Sequence, residues 1–308
     1  MAALVPPSAL LLTGIVSVQV GAGFAARLFT QIPPAAVTGL RLWTAAALLG
    51  AAGARGLAAA VAGLVRRRAW RDCLVAVGFG LTLAVMNFSI YQSFARIPLG
   101  ISVTIEFLGP LAVAVASSRR ALDLLWVVLA GSGVALLVRT GSTVAGPGAT
   151  GHAGPSAGHS AAAAGLAFAL LAALAWAGYI LLSRATGRRF PGSSGLTIAM
   201  LVAAVAVTPA GVAAGGGALL RPGIVATGVA IGLLSSLIPY TLELETLRRI
   251  PARVFGIWMS LEPAVAALVG LVMLGQALAL REWIAIGCVV VACAGAARGA
   301  GQPPPPQA

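Results

Sequence analysis

The chain has 308 residues, of which 59% are hydrophobic and 9% are charged, and its formal net charge is +13. A soluble domain carries about 25% charged residues, so this composition excludes an ordinary soluble protein. All 20 basic residues are arginine, which excludes enzymes that need a lysine in a P-loop or in a Schiff base. Apolar stretches of about 18 residues or more recur along the chain, and each is long enough to cross a bilayer as a helix.

These stretches predict an all-α polytopic membrane protein with about ten transmembrane helices. In chain order, the predicted helices cover approximately residues 8–27, 35–53, 72–94, 98–117, 121–139, 161–183, 195–214, 223–246, 252–275 and 281–298. The Gly-, Ala- and Ser-rich segment 140–160 is predicted to be a flexible loop, and the Pro-rich tail 299–308 to be disordered. We interpret His152 and His159 in the loop as solvated linker residues, although a pair of histidines could also bind a metal. We expect no cofactor and no metal site.

The arginines are distributed unevenly between alternate connecting segments. With the N-terminus in the cytoplasm, fourteen arginines lie inside and five lie outside, and Arg41 is within the second helix. The inside set is Arg55, Arg66, Arg67, Arg68, Arg71, Arg119, Arg120, Arg184, Arg188, Arg189, Arg248, Arg249, Arg253 and Arg298. Because cytoplasmic segments are enriched in arginine, this bias predicts a multi-pass protein of the bacterial inner membrane with both termini in the cytoplasm. The same distribution explains the basic charge without a nucleic-acid partner.

The two halves of the chain resemble each other. Arg96-Ile97-Pro98 and Pro110 recur as Arg249-Ile250-Pro251 and Pro263 at an offset of 153 residues. The predicted repeats cover residues 8–139 and 161–298, with five helices each. Since five is odd, the second copy must cross the membrane in the opposite direction. Such inverted repeats give one central site two equivalent gates, which is typical of alternating access.

Two stretches carry a family resemblance. The first is Pro98-Leu99-Gly100-Ile101 followed by Glu106-Phe107-Leu108-Gly109-Pro110, and the second is Pro239-Tyr240-Thr241-Leu242-Glu243 followed by Ser260-Leu261-Glu262-Pro263-Ala264. With the ten-helix organisation, they resemble the EamA-type branch of the drug/metabolite transporter superfamily, and they are most similar to its threonine- and homoserine-exporting bacterial members. The resemblance implies proton-driven efflux of small amino acids. An EamA-type exporter of a different metabolite or drug is the alternative.

One departure from the family pattern follows the ninth helix. EamA-type proteins often carry Gly-Glu at this point, and this chain has Gly275-Gln276. We expect the position to lie near the membrane edge, and the glutamine puts in doubt any role for a carboxylate there.

Two buried carboxyl groups are predicted next to helix breaks. Ionisable residues inside a bilayer are costly and tend to face a cavity. Glu106 precedes Pro110 in the fourth helix, and Glu262 directly precedes Pro263 in the ninth. A proline removes a backbone hydrogen bond one turn back, so Pro110 and Pro263 are predicted to break their helices. Glu106 and Glu262 could then bind a substrate ammonium or carry the coupled proton. The alternative is a structural carboxyl, or for Glu262 a cap on the broken turn.

Further polar side chains are predicted to line the same cavity. The Arg41 guanidinium could hold a substrate carboxylate with two hydrogen bonds, or it could extend to the outer surface or pair with a glutamate. Asn87 and Tyr91 share a face of the third helix, and Tyr240 and Glu243 share a face of the eighth. Tyr179 with Trp176 and Gln19 complete the set, although each alone could serve only helix packing. We interpret Glu245 as structural, beside Arg248 and Arg249.

The sequence bears on three classes of function, namely a transporter, an intramembrane enzyme and a scaffold. A small-molecule transporter needs a lipid bilayer and a cavity that holds both ends of a zwitterion, which Arg41 with Glu106 or Glu262 could supply. An intramembrane enzyme would need a catalytic constellation, and the sequence has no HExxH motif and no aspartate pair within the membrane. A scaffold gains nothing from an inverted repeat. The sequence therefore favours a transporter over an enzyme, and it leaves the oligomeric state open, with a homodimer as one alternative.

Overall fold

The computed structural model describes residues 5–54, 56–58, 62, 70–117, 122–139, 155–190 and 194–299. Helices and short turns account for these residues, and no strand occurs among them. The principal helices of the first half are α1 Pro7–Leu28, α2 Pro34–Ala52, α3 Trp70–Phe94, α4 Leu99–Glu106, α5 Leu108–Ala116 and α6 Leu122–Arg139. Those of the second half are α7 Pro155–Gly187, α8 Ser194–Gly215, α9 Pro222–Gly232, α10 Ile238–Leu247, α11 Ala252–Met259, α12 Glu262–Leu274 and α13 Leu280–Gly299. A 3₁₀ turn at Gly216–Leu220 follows α8, and a π-helical segment at Leu233–Leu237 joins α9 to α10.

The helices confirm the predicted fold class. In the described part of the chain, nine helical spans are long and apolar enough to cross a membrane, and Leu124–Leu137 adds a shorter apolar helix. Together they give the ten segments that the sequence predicts. Many large apolar side chains on the outer faces are exposed, such as Leu174, Leu220 and Val272. A lipid environment suits such side chains, and these helices form a polytopic membrane protein.

One helix begins earlier than the sequence analysis predicts. Helix α7 starts at Pro155, within the segment 140–160 for which the sequence predicts a flexible loop. An alanine-rich run at 161–164 has high helix propensity, and this favours extension of the helix toward its N-terminus. The backbone at His159 is therefore helical. His152 and the rest of the loop lie outside the described residues, as do Arg55, Arg66, Arg67, Arg68, Arg119, Arg120 and the tail from residue 300.

The fourth and ninth spans are each interrupted near their middle. Pro110 has no N–H to donate to the carbonyl of Glu106 one turn back, and α4 ends at Glu106. In the same way, Pro263 cannot donate to the carbonyl of Met259, and α11 ends at Met259. Helices α4 and α11 thus have equal lengths and matching bounds at an offset of 153 residues. Each begins after a proline with nearly the same backbone conformation, φ −55° and ψ 142° at Pro98 and φ −57° and ψ 142° at Pro251.

Helix packing follows the same correspondence between the halves. Helix α3, in the third span, packs along α7, in the sixth span. The corresponding spans of the other half, the eighth and the first, make the equivalent contact, in which α10 packs along α1. Three further contacts join a helix of one half to a helix of the corresponding span in the other half. They are α2 with α8, α4 with α12, and α6 with α13. The two broken spans are therefore in direct contact, through α4 and α12.

Small residues permit the close helix contacts around this centre. A Cβ atom added at Gly109 in α5 would lie 2.2 Å from the backbone oxygen of Ala173 in α7. Neither backbone can yield without shifting a whole helix. The glycine therefore allows an approach that no other residue permits, as small residues commonly do between membrane helices.

We expect Gly109→Ala to destabilise the protein by about 1–3 kcal/mol, because the added methyl group overpacks two backbones. Thermal unfolding of the purified protein in detergent measures this as a lower Tm. Gly131→Ala in α6 is the matched control, since a Cβ atom there meets no described atom within 4 Å. Equal unfolding temperatures for the two variants would contradict the proposed close contact.

Candidate functional site

A cavity of about 210 Å³ lies between the two halves, at the level of the helix breaks. Helices α1, α2, α3, α4, α7, α10, α11 and α12 contribute to its wall, together with the π-helical segment. All eight side chains that the sequence suggests for substrate binding line it: Arg41, Asn87, Tyr91, Glu106, Tyr179, Tyr240, Glu243 and Glu262. The structure thus brings together polar residues from both halves that are up to 221 positions apart in the sequence.

Three carboxyl groups face this cavity. Glu106 is the last residue of α4, and Glu262 is the first residue of α12, so both stand at the interruptions of their spans. Glu243 approaches from α10. The carboxyl group of Glu262 is within electrostatic range of both Glu243 and Glu106. The site therefore brings three carboxyl groups close together in one cavity.

Gln19 positions one of these carboxyl groups. Its Nε2 donates a hydrogen bond of 2.9 Å to Oε1 of Glu262, and both residues are buried. The Oε1 atom of Gln19 is buried and has no hydrogen-bond partner among the described residues. A buried acceptor without a partner is costly, so a ligand that donates to this oxygen would satisfy it.

Arg41 supplies a positive charge to the same cavity. Its Nη2 donates to the backbone oxygen of Ser235 at 3.2 Å, and its guanidinium lies over the Tyr91 ring, 5.4 Å from the centroid. Within the described residues it forms no salt bridge, although it is within electrostatic range of Glu106. The buried Nε atom has no hydrogen-bond partner there. The guanidinium thus lines the cavity, and its Nε–H remains free to donate a hydrogen bond to a ligand. It does not extend to the outer surface.

Aromatic and amide side chains form the remaining polar wall. Asn87 donates through Nδ2 to the backbone oxygen of Leu83 at 2.8 Å, which leaves its side-chain oxygen available. The hydroxyl of Tyr91 is buried without a partner among the described residues. Tyr179 packs on Phe79 with ring centroids 5.1 Å apart, and Trp176 meets Phe107 edge to face at 5.0 Å. These ring contacts fix the orientation of side chains that border the cavity.

Ser235 lines the cavity and is not among the residues that the sequence predicts there. This residue lies in the π-helical segment Leu233–Leu237, lines the cavity and has a buried hydroxyl without a hydrogen-bond partner among the described residues. Its backbone oxygen is the one that accepts from Arg41. A π-helical segment frees backbone groups and often marks a functional site. The signal in the sequence is the pair Ser235-Ser236 within an apolar span, followed closely by Pro239.

The two prolines predicted to break the helices stand beside the cavity and do not line it. Pro263 is buried in the first turn of α12, next to Glu262. Pro110 borders a second, mostly apolar cavity of about 260 Å³, which shares Trp176 and Met259 with the central one. Pro110 follows the end of the helix that presents Glu106, and Pro263 lies in the first turn of the helix that begins with Glu262.

Gln276 is buried and bonded to another helix, although the sequence predicts a place near the membrane edge. Only 5% of the residue is exposed, and its Oε1 accepts a 2.9 Å hydrogen bond from the backbone N–H of Leu99 at the start of α4. Gly275 before it has φ +67°, a left-handed conformation that ends α12 and turns the chain toward α4. The side chain thereby links the end of one broken span to the beginning of the other.

We expect Gln276→Leu to cost about 1–3 kcal/mol of stability, because it leaves the buried N–H of Leu99 without an acceptor. Gln276→Glu keeps a side-chain oxygen at this position and is the matched control. Thermal unfolding in detergent compares them, and a Gln276→Leu variant with the stability of the wild type would contradict this role.

Three carboxylates outside the cavity have partners among the described residues. Glu245 pairs with Arg248 at 3.6 Å and also with Arg249, as expected for a structural residue at the end of α10. Asp72 pairs with Arg189 at 3.1 Å, and Oε2 of Glu282 accepts from the backbone N–H of Ala279 at 2.7 Å. These contacts separate them from the three carboxyl groups of the central cavity.

Comparisons with protein families, curated sequences and solved structures show which known proteins this chain is similar to. The sequence profile of the EamA-like transporter family matches residues 163–298. The threonine/homoserine exporter RhtA of Escherichia coli K12 is 37% identical over 289 residues, covering 94% of this chain and 90% of that protein. RhtA of Salmonella typhimurium LT2 is 36% identical over the same length, and an uncharacterized transporter of Bacillus subtilis, YwfM, is 27% identical over 128 residues, covering 42% of this chain and 43% of that protein. A protein of known crystal structure shares the fold with a TM-score of 0.57 and 19% identity, covering 93% of this chain and 96% of that one.

Proposed function

Because the chain belongs to the EamA-like transporter family, we propose that it exports small amino acids such as threonine and homoserine across the bacterial inner membrane. The observation that carries the proposal is the central cavity, in which one guanidinium and three carboxyl groups face each other. The naming of its relatives as threonine/homoserine exporters supports the same cargo.

The charges of the cavity suit a zwitterion. The Arg41 guanidinium offers a donor edge to a substrate carboxylate, and Glu106 or Glu262 offers an acceptor to the ammonium. Charge-assisted hydrogen bonds of this kind contribute about 1.5–3 kcal/mol each. A hydroxyl group on the substrate side chain could donate to the free oxygen of Gln19, which would favour threonine and homoserine over alanine.

The excess of acidic groups in the cavity supports proton coupling. If all three carboxyl groups were ionised, one guanidinium would leave two negative charges without compensation. Buried charge without a partner is costly, so the cavity favours a proton or a substrate ammonium. We propose that Glu106 and Glu262 exchange protons with substrate, so that binding of one favours release of the other.

Alternating access would use the correspondence between the two halves. Helices α4 and α11 and the breaks that follow them recur at an offset of 153 residues, and they flank the cavity from opposite halves. If the halves have opposite orientations, as the five spans in each predict, exchanging their conformations opens the cavity to the other side. With both termini in the cytoplasm, the turn at Arg96 faces outside and the turn at Arg249 faces inside.

Efflux from whole cells tests the proposed function. Cells that express the chain and control cells are preloaded with radiolabelled threonine or homoserine, and the label that leaves is followed with time. We expect faster loss from the expressing cells. Equal rates, with the protein shown in the membrane, would overturn the amino-acid assignment and would direct the search to another metabolite.

A further inference from the structure

The turn between α3 and α4 carries an arginine that no carboxylate compensates in the described structure. Nη1 of Arg96 donates to the backbone oxygen of Gln92 at 2.5 Å and to its side-chain Oε1 at 2.7 Å. The guanidinium also stacks over the Phe168 ring, 5.0 Å from the centroid. Since Gln92 is neutral, these contacts orient Arg96 and leave its full positive charge in place.

The corresponding turn of the second half has the same contact between an arginine and the residue four positions earlier, but there the acceptor is a carboxylate. Arg249 donates to Glu245, four residues earlier, as Arg96 does to Gln92, and the two pairs lie at the offset of 153 residues. Glu245 compensates its arginine, whereas Gln92 does not. The two turns thus share the same arginine contact and differ in its charge.

The uncompensated arginine opens onto a cavity of about 450 Å³. Gln31, Thr30 and Gln92 line this vestibule with Arg96, and the rest of its wall is mostly apolar. Among the described residues, the Nε and Nη2 atoms of Arg96 have no hydrogen-bond partner. These two atoms form the edge of a guanidinium that can hold a carboxylate with two parallel hydrogen bonds.

The vestibule adjoins the central cavity through aromatic rings. Phe29 lines the vestibule, Tyr91 lines the central cavity, and their ring centroids are 6.0 Å apart. Phe94 continues the contact, 5.7 Å from Tyr91. The two cavities are thus separated by packed aromatic rings.

We propose that the vestibule is a second binding site, in which Arg96 holds the carboxylate of a small molecule. The identity of the ligand and its direction of movement rest on the proposed function. In that function, the exported amino acid passes the aromatic rings, binds at this second site and then reaches the outside. Its chemical requirement is a free carboxylate, and an ammonium group is not needed.

Binding of N-acetylthreonine, which has a carboxylate and no ammonium, tests the second site apart from transport. Saturation-transfer NMR on the purified protein in lipid nanodiscs reports the affinity, and an Arg41→Gln background removes the guanidinium of the central cavity. We expect binding to persist in this background and to weaken about tenfold or more when Arg96→Gln is added. Gln92→Glu should weaken it similarly, because a carboxylate would then compensate Arg96 as Glu245 compensates Arg249.

Two controls distinguish a binding role from a structural one. Glu245→Gln changes the matching arginine contact of the second half and should leave the binding of N-acetylthreonine unchanged. The amide of N-acetylthreonine, which lacks the carboxylate, should not bind. Absence of binding in the Arg41→Gln background, or binding that survives Arg96→Gln, would overturn the second site. Neither result bears on amino-acid export, which the efflux assay tests independently.

Discussion

Replacing Glu106 with glutamine is expected to lower threonine efflux by about a hundredfold. The change removes the proton-binding group and the negative charge while it keeps the size of the side chain. A hydrogen bond between the substrate ammonium and the carboxylate contributes about 1.5–3 kcal/mol, and about 2.8 kcal/mol corresponds to a hundredfold. Initial rates of efflux from preloaded cells, normalised to the amount of protein in the membrane, measure the effect.

Asp72→Asn is the matched control for this substitution, since it is the same chemical change at a carboxylate outside the cavity. The Asp72 and Arg189 side chains are 39% and 37% exposed, and such surface pairs contribute about 0–1 kcal/mol. We expect Asp72→Asn to retain efflux within about twofold. If Glu106→Gln also retained efflux at this level, the assignment of Glu106 to substrate or proton binding would be wrong.

Arg41 is expected to determine affinity for the substrate carboxylate. Arg41→Lys keeps the charge and loses the fork of two parallel donors, so we expect the half-saturating threonine concentration to rise about tenfold. Arg41→Gln loses both properties and should reduce transport to background. The concentration dependence of transport in proteoliposomes separates these two outcomes.

An exposed arginine provides the control for the Arg41 variants. Arg221 directly precedes α9 and is exposed. Because it does not line the central cavity, Arg221→Lys should leave the half-saturating threonine concentration unchanged. Arg41→Lys with the affinity of the wild type would show that the fork of donors does not hold the substrate.

The sequence predicts the polar wall of the cavity because ionisable residues in a membrane have few acceptable places. Arg41, Glu106, Glu243 and Glu262 fall within apolar spans, and each would be costly against lipid. The positions of Pro110 and Pro263 predict where α4 and α11 end, because the missing N–H acts one turn back. These inferences use local rules, and the structure places all four charged residues on one cavity.

Contacts between distant segments could not be predicted in the same way. The hydrogen bond from Gln19 to Glu262 and the bond from Leu99 to Gln276 join residues 243 and 177 positions apart. The π-helical segment that presents Ser235 depends on packing against α1 and α2. The start of α7 at Pro155 was missed because a Gly- and Ala-rich composition is shared by loops and by closely packed membrane helices.

Proton movement coupled to threonine is the central claim, and purified protein in proteoliposomes tests it most directly. Vesicles that contain a trapped pH indicator receive threonine on one side, without an imposed pH gradient. The account predicts a pH change inside the vesicles that depends on threonine and is absent with Glu106→Gln. Threonine transport without any pH change would contradict proton coupling through the cavity.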